Sequence, residues 1–248
     1  MRMGEGTTVR SVERALDILL CFTEDTGLTM SEIAQRVNLH KSTVHRLLAS
    51  LEKKGFVVRN PSTDQYRLGF RVWELAANLW QSDDPAIILL PEMERLRDLI
   101  GETVSLYIRD GRERIRIQAV QSNQSVRRVA PVGVRLPLYV GASGKILLAY
   151  ENEAVRKEIM SAPDWPQTMD NKHFMKQLAE IREKGYATSI EEREPGAAAV
   201  AAPIFNRAGK LVAALSVSGP VSRLTPDKLK QYASDVREAA RRMEKMIK

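Results

Sequence analysis

The chain has 248 residues, enough for one large or two modest domains, and 44% of them are hydrophobic, which is ample for a packed core. No run approaches the ~18 apolar residues of a membrane span, and the first ten residues lack the apolar segment of a signal peptide, so we expect a cytoplasmic protein without a membrane partner. The single cysteine, Cys21, excludes an internal disulfide, and the net charge of +7 suits a polyanionic partner.

The first predicted element is a helix from Ser11 to Phe22, after residues 1–9, which we expect to be disordered. We expect Cys21 to be a buried or half-buried core residue rather than a redox switch. Apolar residues recur at helical spacing and are predicted to form one buried face: Val12, Ala15, Leu16, Leu19 and Phe22.

Residues 29–55 have the pattern of two short helices joined by a tight turn. Thr29 and Glu32 match a capping box, in which each side chain satisfies the other residue's backbone N–H. Asn38 and Gly55 suit the left-handed positions that end helices. The buried stripe of the second helix is predicted from the spacing i, i+3, i+4, i+7 of Val44, Leu47, Leu48 and Leu51. This pattern is typical of a helix-turn-helix, whose second helix enters the major groove of DNA.

The polar face of the second helix carries uneven charge. Residues 36–71 contain eight Lys or Arg against two acidic residues. A solvated face is the alternative for any single helix, but the polar groups cluster at the helix start, where recognition helices contact DNA. The candidate contacts are Lys41, Thr43 and Arg46 for base edges and Ser42 and His45 for the backbone, with Thr29 a further candidate.

A β-hairpin follows directly, with strands predicted over residues 56–59 and 65–68 around a turn-rich link. Phe56 and Val58 are predicted to share a buried face with Tyr66 and Leu68. A hairpin in this position is the wing of a winged helix and would lie near phosphates or the minor groove. The candidate contacts of the wing are Arg59, Asn60, Thr63 and Arg67.

Three segments, SVERALDIL, LTMSEIAQRVNLHKSTVHRLLASLEKKGFV and YRLG, resemble the N-terminal domain of the isocitrate lyase regulator (IclR) family, and the similarity continues to the C-terminus. The resemblance implies a transcriptional regulator with a winged helix-turn-helix over residues 10–69. His40 stands where a proline is common in the family, which should change the helix start a little.

Residues 70–81, FRVWELAANLWQ, predict a helix that places Phe70, Trp73 and Trp80 toward one side, with Ala76 or Ala77. Asp83-Asp84-Pro85 should end it. We interpret residues 70–85 as a connecting helix that packs against a partner subunit; a helix lying on its own domain is the alternative. The resemblance implies a homodimer or a dimer of dimers, which a pseudo-palindromic operator in double-stranded DNA would match.

Residues 86–248 alternate helices and strands, which predicts an α+β domain with an antiparallel sheet. One long helix should end at Gly101, and Asp110-Gly111 marks a hairpin turn. The predicted strands are 103–110, 112–122, 125–131, 135–139, 186–192, 197–206 and 210–219, and the further helices are 142–150, 152–160, 174–184 and 226–247, the last capped by Thr225.

The family resemblance implies that this domain is a GAF-like effector-binding and oligomerisation domain with a pocket over a curved sheet. The effector positions of the family correspond here to Tyr139, Ala142, Ser143, Ser189, Ala199, Ser216 and Ser218. Both hydroxyls of Ser216 and Ser218 should point to one face, and the helix start at Ala142 offers free N–H groups, so a small-molecule carboxylate is the expected effector. Alternatively, the serines bond to the backbone and the domain only oligomerises.

The pocket departs from the family pattern. Members that bind small keto acids carry an acid where Ser189 stands and a cysteine where Ala199 stands. We therefore expect a roomier, less polar pocket and a different or larger ligand. A basic cluster could steer an anion, although we interpret it as a solvated strand edge; it comprises Arg112, Arg114, Arg116, Arg127 and Arg128.

Enzyme motifs are incomplete. The segment Gly141–Lys145 would be a phosphate loop only with glycine at Tyr139 and Ser or Thr at Ile146. It is not a G-x-S-x-G elbow either, and His173 is the only histidine after residue 45. We expect no catalysis, no cofactor and no metal.

Overall fold

The computed structural model describes residues 8–23, 25–77, 84–127 and 131–247, and the chain divides into two compact units, residues 1–81 and 82–248. Over these described ranges, no helix is long and apolar enough to cross a membrane. Several predictions concern residues outside them: the disorder of residues 1–7, Trp80, Asp83 and Arg128.

The first unit is a winged helix. Its helices are α1 (Arg10–Leu20), continued by a 3-10 turn (Cys21–Thr23), α2 (Met30–Arg36), α3 (Lys41–Lys53) and α4 (Phe70–Ala77). Its strands are β1 (Leu28–Thr29), β2 (Val57–Asn60) and β3 (Gln65–Leu68), which form an antiparallel sheet in the order β1-β3-β2. With two residues, β1 is too short to be recognised from a sequence pattern.

The predicted starts and stops of the helix pair are confirmed. The side chains of Thr29 and Glu32 bond reciprocally to each other's backbone N–H. Asn38 has a φ of 50° between the two helices. Gly55 has a φ of 78°, and the N–H groups of Gly55 and Phe56 donate to the carbonyls of Glu52 and Leu51, which is a Schellman motif.

The buried face of α1 differs from the prediction. Ile18 and Phe22 are buried in the core of this unit, whereas Val12 and Leu16 are 54% and 53% exposed. The helix carries two apolar stripes, and the core takes the one that continues through the 3-10 turn. Cys21 is half-buried as expected; burial raises the pKa of its thiol, which donates to the Asp17 carbonyl.

The buried face of the wing is shifted by one residue. Phe56 is used in the Schellman motif, so the strand starts at Val57, and a shift of one residue moves every side chain to the other face. Val57 and Tyr66 are buried, whereas Val58 is 40% exposed. Leu68 is 41% exposed as well, so the prediction that Phe56 and Val58 share a buried face with Tyr66 and Leu68 is wrong.

The second unit is an α+β domain, as predicted. Its helices are α5 (Pro85–Ile88), α6 (Leu90–Ile100), α7 (Ala142–Ala149), α8 (Glu153–Met160), α9 (Asn171–Lys184) and α10 (Pro226–Glu244). Its strands are β4 (Thr103–Asp110), β5 (Glu113–Val120), β6 (Arg135–Pro137), β7 (Ala187–Ile190), β8 (Ala197–Phe205) and β9 (Leu211–Pro220). They form one antiparallel sheet in the order β6-β5-β4-β9-β8-β7.

Two predictions for this unit are wrong. The helix expected to run from residue 86 to Gly101 is interrupted at Leu89, because Pro91 has no N–H to donate and its ring crowds the carbonyl four residues earlier. Ser125–Arg127 lie in no strand. Their loop is held by side chains instead of a strand ladder, since the Arg223 guanidinium donates to the Val126 carbonyl at 2.9 Å.

Helices cover both faces of the six-stranded sheet. One face packs against α6 and α10 through Met93, Leu96 and Val236, all 0% exposed. The other face packs against α7, α8 and α9, with Ile146 and Phe174 in its core. The candidate effector positions lie on this second face.

Candidate functional site

The polar face of α3 is presented to solvent. Val44 and Leu48 are 0% exposed and fix the opposite face in the core. The side chains of the predicted contact residues make no hydrogen bond or ion pair with the rest of the described chain; Thr43 is half-buried, and the exposed ones are Lys41, Ser42, His45 and Arg46. Four of the five therefore keep their donors and acceptors available to a partner.

The start of α3 leaves backbone donors free. His40 is the N-cap residue and makes no side-chain cap hydrogen bond. The first N–H groups of a helix lack intrahelical partners, so here they are available to an acceptor such as a phosphate. Thr29 differs, because its hydroxyl is engaged with Glu32 in the capping box at 2.8 Å.

The wing residues fall into two groups. The Arg59 Nε donates to Asp64 Oδ1 at 2.6 Å, and this hydrogen bond raises the pKa of Arg59. The side-chain oxygen of Asn60 accepts from the Ser62 N–H at 3.0 Å within the turn. Thr63 and Arg67 are exposed and have no side-chain partner in the described ranges.

In the second unit, a cavity of about 50 Å³ lies between the sheet and the start of α7. Six of the seven predicted effector positions line it: Ala142, Ser143, Ser189, Ala199, Ser216 and Ser218. Tyr139 does not. Its ring packs edge-to-face on Trp165, with centroids 5.6 Å apart, in a neighbouring cleft of about 160 Å³.

Strand register brings these residues to one face. Ser189 pairs with Ala199, which pairs in turn with Ser218, so their side chains form one row across three strands. Ser216 follows two residues before Ser218 and faces the same way; it pairs with Ser105 on β4. A ligand in the cavity would meet a surface of small hydroxylated side chains.

The serine hydroxyls of this surface have no protein partner. Ser143, Ser189, Ser216 and Ser218 are 4%, 7%, 4% and 9% exposed, and none makes a side-chain hydrogen bond with a residue that the structure describes. The Ser105 hydroxyl is also buried without a partner. Because neither the Ser216 nor the Ser218 hydroxyl bonds to the backbone of a described residue, the alternative in which both do so is wrong for this structure.

The start of α7 is built by close backbone contact. Gly141 has a φ of 83°, and a Cβ on Gly144 would lie 2.4 Å from the Leu138 carbonyl oxygen, so both positions require glycine. Lys145 is 2% exposed, and its ammonium bonds to Glu192 at 2.5 Å and to the Thr188 carbonyl at 2.8 Å. This glycine–lysine sequence therefore anchors the helix instead of binding phosphate.

The basic cluster is not a solvated strand edge throughout. Arg114 and Arg116 are each 2% exposed, because they alternate on β5 with Ile115 and Ile117 and point toward Tyr107 on the opposite face. Arg116 donates to the Tyr107 hydroxyl at 2.9 Å. Arg112 and Arg127 are exposed, Arg112 pairing with Asp164 at 3.1 Å. The interpretation is wrong for the two buried arginines.

Sequence reasoning missed part of the cavity wall: Tyr107, Arg114, Gly141, Arg193, Glu194, Ala197 and Ala198. Arg114 donates from Nη1 to the Val140 carbonyl at 2.8 Å and to that of Pro137. Burial lowers the pKa of Arg114 to about 10, so it stays protonated at neutral pH. Arg114 and Arg116 alternate with Ile115 and Ile117 along the strand. This alternation could have indicated that the isoleucines share one face of the sheet and both arginines the other.

Charged side chains take up part of the cavity wall near Ser189 and Ala199. Arg114, Arg193 and Glu194 extend into its lining, and the Arg193 guanidinium bonds to Glu194 at 2.8 Å. The expectation of a pocket roomier than in keto-acid-binding members stays a prediction. In the described parts of the chain, no three His, Cys, Asp or Glu side chains group so as to hold a metal ion.

Comparisons with known proteins cover both units. The model described as "IclR helix-turn-helix domain" matches residues 11–61, and "Bacterial transcriptional regulator IclR C-terminal" matches residues 80–245. The regulator BhcR of Paracoccus denitrificans is 33% identical over 95% of this chain and 86% of its own length. The repressor IclR of Escherichia coli is 31% identical over 94% of this chain and 88% of its own.

A solved structure is similar over both units as well. It is an IclR homolog from Microbacterium hydrocarbonoxydans in complex with 4-hydroxybenzoate, 29% identical. The match covers 96% of this chain and 98% of that chain, with a TM-score of 0.83.

Proposed function

This chain belongs to the IclR family of transcriptional regulators, and from that premise we propose that it binds operator DNA sequence-specifically as a dimer and responds to a small carboxylate. Its relatives are named as regulators and not as enzymes. In this proposal residues 10–69 bind DNA, residues 70–85 connect, and residues 86–248 bind the effector and oligomerise. We also propose that it acts in the cytoplasm, where the DNA that a bacterial regulator binds is located.

The observation that carries the DNA-binding assignment is the unpaired polar face of α3. Lys41 and Arg46 are exposed cations without partners in the described chain. They lie in the N-terminal half of α3, and the N-terminal residues of a recognition helix contact base edges in the major groove. Arginine and lysine read guanine edges there, whereas contacts from the wing to phosphates fix position and carry no sequence information. Arg67 is exposed and unpaired in the described chain, and we infer that it makes a phosphate contact from the wing.

Support for a dimer comes from α4. Phe70 and Trp73 are 68% and 62% exposed, and their rings stack with centroids 5.1 Å apart. No described residue of α4 is buried, which disfavours a helix packed on its own domain. Large exposed aromatic side chains are typical of protein interfaces. A homodimer, or a dimer of dimers, would place two recognition helices on a pseudo-palindromic site.

Support for a carboxylate effector comes from the cavity. Its buried serine hydroxyls lack partners, and the start of α7 contributes backbone N–H groups that suit an anion. The solved relative binds 4-hydroxybenzoate, which is itself a carboxylate. Occupation of the cavity can change operator affinity only if the ligand binds two arrangements of the dimer with unequal affinity.

The test begins with selection of duplexes from a random library by the full-length protein. The selected site and a scrambled duplex are then titrated by fluorescence anisotropy, with and without carboxylates, for the wild type and Ser216→Ala. We expect a preference of about 10³ or more for the selected site, and a carboxylate-dependent change that Ser216→Ala weakens. Operator affinity that no carboxylate changes would favour a domain that only oligomerises.

A further inference from the structure

Arg114 is a buried cation whose donors are only partly used. The residue is 2% exposed and lines the same cavity as the four serines. Nη1 donates to the carbonyls of Pro137 and Val140. Neither Nε nor Nη2 donates a hydrogen bond to a described residue, and Nε is fully buried. Two of the three guanidinium nitrogens therefore have no hydrogen-bond partner in the described chain.

Arg114 also has no ion pair with a carboxylate of the described chain, because Glu192 is engaged by Lys145 and Glu194 by Arg193. Burial lowers the pKa of Arg114, and the nearby Arg193 and Arg116 lower it further, while Tyr107 and Glu192 partly offset this. A buried charge is costly unless it is paired. The surroundings of this guanidinium thus favour one negative charge.

The rest of the cavity is consistent with an anion. Ser189 contributes a neutral hydroxyl to this wall. The hydroxyls and the backbone N–H groups at the start of α7 can donate to the remaining oxygens of a bound anion. Arginine matches the planar geometry of a carboxylate, with two parallel N–H donors.

We propose that Arg114 selects the effector by its charge, with the carboxylate of the ligand against the guanidinium and the serine hydroxyls completing its hydrogen bonds. This inference rests on the proposed function, since it concerns the same effector. A volume of about 50 Å³ holds roughly three to five water-sized groups. Compact carboxylates are accordingly the first probes, and an aromatic acid requires the Arg193 and Glu194 side chains to move.

The experiment measures ligand binding to the full-length protein without DNA. Acetate, pyruvate and benzoate are compared with acetamide, pyruvamide and benzamide by calorimetry and thermal shift, for the wild type, Arg114→Gln, Arg114→Lys and Arg112→Gln. Arg112 is the matched control, because it lies two residues away but is exposed and paired with Asp164. We expect the wild type and Arg112→Gln to prefer a carboxylate over its amide by about tenfold or more, and Arg114→Gln to lose that preference.

A carboxylate preference retained by Arg114→Gln would overturn the inference, as would a wild type that binds none of the carboxylates. Arg114→Gln also loses the bonds to Pro137 and Val140, so Arg114→Lys covers the case in which glutamine prevents folding. Lysine keeps the charge without the planar fork; we expect it to keep the preference with about tenfold weaker affinity, and unchanged affinity would count against the inference. Operator titration is independent of this measurement. A regulator controlled by a neutral effector would therefore still show the proposed sequence-specific DNA binding, and only the carboxylate response would fail together with the inference.

Discussion

The two units of the chain use positive charge in opposite ways. On the winged helix, Lys41, Arg46 and Arg67 are exposed and have no partner in the described chain. In the second unit, Arg114 and Arg116 are buried beside Tyr107. An exposed cation keeps its hydration and can neutralise a phosphate, whereas a buried one has lost hydration and requires a fixed partner.

This difference indicates where each charge acts. The exposed cations contribute little to the stability of their own unit, because solvent screens surface charges. The buried cations hold loop carbonyls against the sheet, and in our proposal Arg114 also binds the anion of a ligand. A mutation of the same chemical kind should therefore affect DNA binding in one unit and folding or ligand binding in the other.

The largest expected effect is the loss of stability when a buried ion pair of the second unit is broken. Glu102 is 4% exposed and accepts from Arg223, with Oε2 2.9 Å from Nη2. Glu102→Gln should destabilise the second unit by about 2–3 kcal/mol, less than a fully buried pair because the Arg223 side chain is 33% exposed. Urea denaturation followed by circular dichroism would measure it.

The matched control is Glu153→Gln, which breaks an ion pair between Glu153 and Lys157 whose side chains are 67% and 76% exposed. It should leave the midpoint of unfolding unchanged. Equal destabilisation by the two variants would show that burial does not distinguish these ion pairs.

The next effect is the change in DNA binding when an exposed arginine of the winged helix is removed. Arg46→Ala should flatten sequence preference, because a base-reading arginine contributes roughly 1–3 kcal/mol of discrimination. Arg67→Ala is the control: as a phosphate contact it should weaken all duplexes about equally and reduce the slope of log affinity against log salt by about 0.9. Titration of each variant with the selected and a scrambled duplex separates the two roles, and an Arg46→Ala protein that kept full preference would contradict the assignment to base edges.

Local signals predicted the first unit well. The capping box at Thr29, the left-handed Asn38 and the glycine at position 55 are each determined by a few neighbouring residues. One error arose where tertiary packing decides, because on α1 two apolar stripes compete for the core. The other is local: the Schellman motif uses Phe56, and the strand of the wing therefore starts one residue later than predicted.

The cavity was predictable in part, for a different reason. Positions such as Ser189 and Ser218 came from a family resemblance, and β-strand alternation placed Ser216 and Ser218 on one face. Arg114 could not be assigned this way, because its burial depends on Tyr107 and on the segment from Pro137 to Gly141, which is distant in sequence. Arginine side chains are exposed to solvent in most proteins, and Arg114 is buried here only because of contacts with residues distant in sequence.

The smallest expected effect concerns the one wing cation that already has a partner. Arg59 bonds to Asp64, so any contact of Arg59 with a phosphate competes with this carboxylate. Asp64→Asn removes the competing charge, and asparagine tolerates the left-handed φ of 56° at this position. We expect a several-fold gain in affinity for all duplexes alike, with a salt dependence steeper by up to about 0.9. Asp25→Asn is the control, because it removes the same charge from an exposed pair with Arg36 outside the predicted DNA contacts. If both variants gained equally, net charge alone would explain the result, and Arg59 would not be a phosphate contact; a gain confined to Asp64→Asn would place the wing on the DNA backbone.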